Sequence, residues 1–591
     1  LFGLLQEIHA GVPALQKDIL FEPAFVFAHI LPHTRGSMLK KIFPFLKWPI
    51  SKATVRADFI AGLTVALVLI PQSMAYANLA GLPPYVGLYA AFLPAIVGAL
   101  WGSSNYLQTG PVAMSSLLTA SALAAFGAVS PNEYIRLAGM MAFMVGIIRL
   151  LLVIGRFTFV VNFLSRPVIE GFVHAGALII AASQIGKISG INMPNSGRFF
   201  NNLWTYEILG LAHAHIPTLI IGCASLMVLL ILKKYWPKIP AALTVMILTS
   251  LAVYLLKLSG GENPVSVVGL IPSGCPRFTL AVPDWTTAWK MFPGACVITF
   301  IGFMEMYSVA TALAAKTRQN LSITQELTGQ GLASLSSAFT GGYPISGSFS
   351  RSALNYAAGS KTGLSAVFTG MFVFIFLLFF TKSIYYLPQA ALAALIIDAV
   401  LKLMNFKKFA QYFRVSKADG AAGVATFAAT LLMAPNLDKG IIFGAVLSIL
   451  MYLYRTMKPN VAVLGRHEDG TYRNAQKHGL AVDPVMPAMR FDGRLYFANT
   501  TYFEEQIFRL CEEYPAARFI AVDCQGINAI DASGEEMLRN VVARLRENGI
   551  QLLFSGVKDP VRKVLDRSGL TKEIGEQYFF HKLDAARASI P

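Results

Sequence analysis

The chain has 591 residues, of which 55% are hydrophobic and 14% charged, against roughly a quarter charged in a soluble domain. So few charges cannot cover several soluble cores, which excludes an ordinary cytosolic enzyme, a disordered scaffold and a collagen-like fibre; the chain reads as an integral membrane protein. The formal net charge of +17 is uneven: residues 488–591 carry 14 Lys and Arg against 15 Asp and Glu, whereas residues 1–487 carry 35 against 17. The excess clusters in short loops, at Lys40, Lys41, Lys47, Lys52 and Arg56, at Lys233, Lys234 and Lys238, and at Lys402, Lys407, Lys408, Arg414 and Lys417. That distribution is a membrane topology signal rather than a nucleic-acid footprint. Five cysteines without a C-x-x-C pair argue against a disulfide framework or a zinc site.

In chain order, residues 1–37 are set aside as an N-terminal extension. Gly36-Ser37-Met38 has the look of an expression scar before a natural start, the alternative being an amphipathic surface helix within residues 1–30. No cleavable signal peptide is visible. A transmembrane domain is expected over 38–458. A span needs about 20 apolar residues, and such runs fall near 59–77, 86–101, 111–127, 137–155, 164–186, 213–233 and 239–257. After a polar stretch at 258–290 come 293–315, 324–341, 350–358, 363–381, 387–404, 418–434 and 438–457. The count is seven, a gap, then seven, and an odd number inverts the second set relative to the first.

The third segment opens at Thr109-Gly110-Pro111 and the tenth follows Gly341-Gly342-Tyr343-Pro344. Interrupted segments at matching places in two halves point to a transporter's central binding site. Two half-helices meeting near the midplane offer unpaired N–H groups and about half a positive charge each, together an anion site. A channel lined by these elements would use the same site. Residues 459–483, polar and holding Gly465, Gly470 and Gly479, read as a linker. Residues 484–591 then alternate strands (489–497, 518–524, 551–557) with helices (502–513, 534–548, 560–568), as one compact soluble α/β domain does.

Three stretches carry a resemblance. Pro71-Gln72-Ser73-Met74-Ala75-Tyr76-Ala77, with Gly81-Leu82-Pro83-Pro84 and Gly87-Leu88-Tyr89, resembles the first-helix signature of the sulfate permease (SulP) anion transporters. Gly347-Ser348-Phe349-Ser350-Arg351-Ser352-Ala353-Leu354-Asn355-Tyr356 resembles the family's tenth-helix motif, and Ile530-Asp531-Ala532-Ser533-Gly534 resembles a STAS domain. The resemblance spans about residues 50–590. It implies a polytopic α-helical membrane protein of 14 segments in a seven-plus-seven inverted repeat, a core domain moving against a gate domain, a cytoplasmic STAS domain, homodimers, and an anion held between the third and tenth helices.

Individual residues then acquire roles, each beside a plainer alternative. A guanidinium at Arg351 is costly in a membrane segment unless paired or facing a cavity; its planar donors suit an oxyanion, or it satisfies backbone carbonyls or Glu305. Ser348 and Ser350 donate hydroxyls to the same anion or cap the half-helix. On the third helix, Pro111 suits a first helical turn, and Val112, Ala113 and Met114 bring backbone N–H groups; Val112 stands where some relatives carry an aromatic residue. Ser115 and Ser116 read as small packing residues. Gln72 and Tyr76, four apart, face one side of the first helix, as pocket wall or as core. Glu305, an isolated carboxylate in an apolar span, marks a proton or ion route or a salt bridge to Arg351. Proton-coupled relatives carry a Glu here, so the resemblance implies a proton as coupling ion and no other cofactor. Ser533 matches the loop phosphorylated in soluble STAS relatives or is a simple N-cap.

Other polar residues carry less. Glu170 and His174 read as helix-end pairing or a proton role, Asp398 and Arg149 as interhelical or interfacial, and His213 and His215 are splayed by their i,i+2 spacing, against a metal site. The leading expectation is a proton-coupled sulfate carrier of the inner membrane, multi-pass, with both termini cytoplasmic. Bicarbonate, chloride or a C4-dicarboxylate are the alternatives on this scaffold. An anion-sensing receptor that signals through a cytoplasmic partner of the STAS domain is the alternative of another class. No nucleophile–base motif, P-loop or HExxH is present, so no enzymatic activity is expected.

Overall fold

The computed structural model describes residues 51–590, except 128, 158–164, 192–213, 237–238, 261–262, 273, 275, 277, 279–280 and 402. The extension at 1–37 and His213 therefore lie outside the described residues. Two compact units part between Ser448 and Ile449.

In the first unit each apolar run is a helix: α1 (Lys52–Leu79), α2 (Pro84–Trp101), α3 (Ala113–Leu123), α4 (Pro131–Ile154), α5 (Arg166–Ser183, resuming as Ile185–Ser189), α6 (Ile216–Tyr235) and α7 (Ala241–Leu255). The second set is α8 (Trp285–Thr317), α9 (Ile323–Phe339), α10 (Phe349–Ala357), α11 (Leu364–Phe379), α12 (Gln389–Leu401), α13 (Lys417–Met433) and α14 (Leu437–Met457). Seven of these, α1, α2, α4, α5, α6, α8 and α14, are long and apolar enough to cross a membrane. At 11 and 9 residues, α3 and α10 reach about 16 and 13 Å, half of a ~30 Å hydrocarbon core. An additional amphipathic helix, Phe406–Val415, joins α12 to α13; its apolar stripe is too short to register as a span.

The helices pack as two sets. The first, α1–α4 with α8–α11, is held by contacts of α9 with α2 and α4, of α11 with α1 and α2, and of α8 with α3 and α4. In the second, α5 packs on α13 and α6 on α12, while Gly444 of α14 sits against Val168 and Thr426. Some crossings demand glycine. A Cβ on Gly171 would stand 2.2 Å from the Gly423 carbonyl oxygen, and one on Gly87 1.9 Å from that of Ser73, so α5–α13 and α2–α1 touch backbone to backbone.

The short α3 and α10 each follow a two-residue strand, β1 (Thr109–Gly110) and β2 (Ser346–Gly347), paired antiparallel with Thr109 opposite Gly347. Unwound backbone inside a membrane must satisfy its own polar groups, and this pairing does so. The Ser348 N–H extends it to the Gln108 carbonyl at 2.9 Å, and the Gln108 N–H donates to Ser352 Oγ at 2.9 Å. Pro111 lies before the N-cap Val112 rather than in the first helical turn, and it follows Gly110 at φ 158°, a conformation open mainly to glycine.

The second unit is a six-stranded sheet in the order β4-β3-β5-β6-β7-β8. The strands β5 (Ala488–Asp492), β6 (Phe519–Asp523), β7 (Gln551–Ser555) and β8 (Phe579–Phe580) run parallel. Helices α15 (Thr500–Glu513), α16 (Ala532–Glu547) and α17 (Asp559–Arg567) cover them. The stretch 459–483 is not a plain linker. It holds β3 (Asn460–Arg466), antiparallel to β5, and β4 (Tyr472–Asn474). Ala462 and Leu464 alternate into the core at 2% exposure each, while Gly470, at φ 80°, makes the hairpin turn. Here glycine signals a turn, not a tether.

Candidate anion site at two half-helix starts

Antiparallel pairing of β1 with β2 sends α3 and α10 away in opposite directions, so both N-termini lie at the strand crossing. The first N–H groups of a helix have no partner within it, and neither Val112 nor Ser348 supplies a side-chain cap. Val112, Ala113 and Met114 are all buried, which leaves the α3 donors in the interior. Ser348 Oγ instead approaches Ser350 Oγ at 3.5 Å; Ser348 is buried and Ser350 exposed. Capping is therefore not the role of Ser348.

Arg351 lies over this crossing. A Cβ built on Gly110 would stand 3.4 Å from its Nη2. The residue is 1% exposed, yet Nε, Nη1 and Nη2 all lack a hydrogen-bond partner among the described residues. Tyr76, Glu305 and Tyr343 are within electrostatic range. Glu305, half-buried on α8, makes no ion pair with it, and Glu305 Oε2 is also without a partner. On α1, Tyr76 is buried and Gln72 half-buried with Oε1 unpartnered. Pro71 interrupts the helical hydrogen bonding beside them. The structure thus brings Tyr76, Val112–Met114, Ser348, Arg351 and Glu305 around one crossing, with Gln72 one turn before Tyr76 on α1 and Ser350 exposed.

Ser116 does more than pack: its hydroxyl donates to the Val112 carbonyl at 2.8 Å and shares a 3.0 Å hydrogen bond with Tyr343 Oη, tying α3 to the approach to β2. Gln108 escaped the sequence reading. It is 1% exposed, and among the described residues its Nε2 and Oε1 both lack partners although its backbone braces α10. Asn355, one turn beyond Arg351, donates to the Tyr106 carbonyl at 3.2 Å and leaves Oδ1 unpartnered. Only the strand pairing, invisible in a two-residue stretch, marks Gln108.

The remaining polar residues are structural. Arg149 Nη1 donates to Ser334 Oγ (2.7 Å) and to the carbonyls of Ile345 (3.0 Å) and Gln330 (3.3 Å). Asp398 pairs with Lys233. His174 Nε2 accepts from the Asn405 N–H at 2.7 Å, so Nδ1 carries the proton and donates to the Glu170 carbonyl at 2.6 Å. His215 Nδ1 meets Thr218 Oγ1 at 2.7 Å. Two buried carboxylates passed over in the sequence hold loops: Asp58 accepts from the Lys361 and Thr362 N–H groups, and Glu326 from that of Ser103. In the second unit Asp531, not Ser533, caps α16, accepting from the Gly534 N–H at 2.8 Å; Ser533 is exposed in the first turn.

Comparison with known proteins decides the family. The profile of the sulfate permease family matches residues 55–426, and that of the STAS domain residues 479–586. The chain belongs to the sulfate permease family. Among relatives, "Probable sulfate transporter 4.2" of Arabidopsis thaliana is 33% identical over 553 residues, covering 90% of this chain and 80% of the relative. A probable sulfate transporter of Mycobacterium tuberculosis is 31% identical over 548 residues, covering 90% and 94%. The overall structure of SLC26A9 matches with a TM-score of 0.85 at 22% identity, covering 96% of this chain and 94% of that one. The transmembrane domain of the cyanobacterial bicarbonate transporter BicA matches with a TM-score of 0.58 at 19% identity, covering 68% and 98%. This sulfate permease family member therefore has the seven-plus-seven inverted-repeat fold with a C-terminal STAS domain. Its class is secondary active anion transport across a membrane, not catalysis.

Proposed function

We propose that the chain carries an oxyanion by alternating access, one helix set moving against the other, with the anion at the starts of α3 and α10. The observation that carries this reading is a buried Arg351 without a hydrogen-bond partner among the described residues, beside two helix N-termini that have no side-chain cap. Each terminus contributes about +0.5; with Arg351 the site presents roughly +2, which suits a dianion, and an ionised Glu305 reduces this to roughly +1. Sulfate moving with one proton on Glu305 is accordingly the first reading, in keeping with relatives named as sulfate transporters. A monoanion such as bicarbonate or chloride, exchanged with Glu305 ionised, is the second, and the fold itself hosts more than one anion; C4-dicarboxylates are a further candidate. Gln72, Tyr76 and Val112 would form the pocket wall, and Ser348 and Ser350 supplementary donors.

The test is uptake of labelled sulfate by reconstituted vesicles, with and without an inward proton gradient, beside Glu305→Gln. Gradient-driven uptake that the variant loses supports the first reading. Entry of bicarbonate or chloride with sulfate excluded under every gradient selects the second. No flux of any anion through folded protein would turn the reading toward an anion-sensing receptor acting through the STAS domain. We place the protein in an inner membrane as a homodimer with both termini cytoplasmic, to be checked by cross-linking and by protease access from each side. Ser533, exposed at a helix start where a phosphate's charge is favoured, is the proposed regulatory position; phosphopeptide mapping of the native protein tests it.

A further inference from the structure

The helix Phe406–Val415 takes no part in the anion site. Phe406, Phe409, Ala410 and Phe413 recur at i, i+3, i+4 and i+7 and form one stripe, and Lys407, Gln411 and Arg414 form a polar face that flanks it on one side. The sequence FKKFAQYFRV contains no acid. Part of the apolar stripe is used within the protein. The His174 ring lies 5.0 Å from Phe409 and 5.3 Å from Phe406, and Phe409 lies 6.4 Å from Phe427. A Cβ on Gly423 would stand 3.1 Å from the Phe409 ring and one on Gly420 2.5 Å from that of Phe413, so both rings rest on bare backbone of α13. The hydrogen bond from the Asn405 N–H to His174 fixes the helix entry on α5.

The rest is uncovered. Phe406 is 60% exposed, Phe413 42% and Val415 79%, and Lys407, Arg414 and the following Lys417 are exposed. Ten residues span about 15 Å, too short to cross a bilayer, and a helix with aromatics on one edge and bases on the other lies in the interface. Exposed rings beside exposed bases on a helix between two apolar helices of the membrane unit match one surface, a leaflet whose headgroups carry negative charge. We propose that Phe406–Val415 is a binding surface for anionic phospholipid, with Phe406 and Phe413 at the acyl boundary and Lys407, Arg414 and Lys417 on the headgroup phosphates. Lipid held there bears directly on α5 and α13, the helices to which this one is clamped.

The test reads lipid contact rather than transport, so it stands or falls independently of the anion. The full chain with Phe413→Trp is placed in mixed phosphatidylcholine–phosphatidylglycerol vesicles in which either lipid carries the bromine, and fluorescence is taken as the difference from the parent chain. Quenching per brominated lipid is expected to be about threefold greater for phosphatidylglycerol. That preference should vanish at about 1 M salt, where the Debye length is ~3 Å, and in the added triple variant Lys407→Gln, Arg414→Gln, Lys417→Gln. Equal quenching by the two lipids, or a preference that survives the triple variant, overturns the proposal. If Phe413→Trp fails to fold, Phe406→Trp at the more exposed ring gives the same readout.

Discussion

Two arginines lie in the membrane unit at 1% exposure each, and their surroundings differ. Arg149, on α4, is anchored through Nη1 to α9 and to the chain just before β2, and a Cβ on Gly302 would meet its Nη2 at 2.6 Å. Arg351, on α10, has no hydrogen-bond partner for any of its nitrogens among the described residues. A buried guanidinium costs several kcal/mol unless its donors are met: Arg149 meets three acceptors through Nη1 while its Nε and Nη2 have none among the described residues, and Arg351 meets none, the deficit that the proposed anion would fill. The same residue type therefore stands anchored at one position and unpartnered at the other, both close to the strand pair.

The sharpest way to break that comparison is to exchange the phenotypes. Arg149→Leu is expected to cost about 3 kcal/mol or more, since it abandons buried acceptors, and to appear as lost folded protein in detergent thermal scans. Arg351→Gln should leave the melting temperature nearly unchanged while anion uptake falls about 100-fold, the loss of roughly 3 kcal/mol of charge-assisted contact. An arginine that behaves in the other's way would end the distinction.

Smaller effects sharpen it. Glu305→Gln is expected to abolish acceleration by an inward proton gradient and to slow gradient-driven uptake about tenfold, with uptake at symmetric pH less affected. Gln108→Leu should weaken half-saturation by anion about fivefold, the worth of one hydrogen bond near 1 kcal/mol, with little change in stability, because both carboxamide atoms already lack partners. Ser348→Ala should shift unfolding by less than about 0.5 kcal/mol, whereas Asp531→Ala, which removes a true N-cap, should cost the isolated α16 cap about 1 kcal/mol. If Ser348→Ala destabilises as much as Asp531→Ala, the half-helix start is capped after all.

Much of the membrane unit was legible because lipid imposes a one-dimensional rule: a run of apolar residues long enough to cross becomes a helix. Thr109-Gly110-Pro111 and Gly341-Gly342-Tyr343-Pro344 were equally plain, since glycine and proline close together disfavour helix, whereas single prolines such as Pro71, Pro94 and Pro293 stay inside their helices. The amphipathic helix at 406–415 escaped because a few apolar positions scattered among basic ones in ten residues do not form a span. The hairpin at 460–474 escaped because its short strands are joined through glycine and polar turn residues, the same composition a linker would have.

Site residues divide along the same line. Arg351 and Glu305 announced themselves because a lone charge in an apolar run is expensive. Gln108 did not, because a glutamine is ordinary until its neighbours are known to offer it nothing. The sequence by itself determined the class of protein, the two interrupted helices and the charged residues beside them, all consequences of local composition against a uniform apolar solvent. Only the tertiary structure decided that Arg149 is tied and Arg351 is not, that Ser348 leaves its helix uncapped while Asp531 caps α16, and that β1 meets β2. Each of those depends on hydrogen-bond partners hundreds of residues away or on the geometry of a single turn, which composition does not encode.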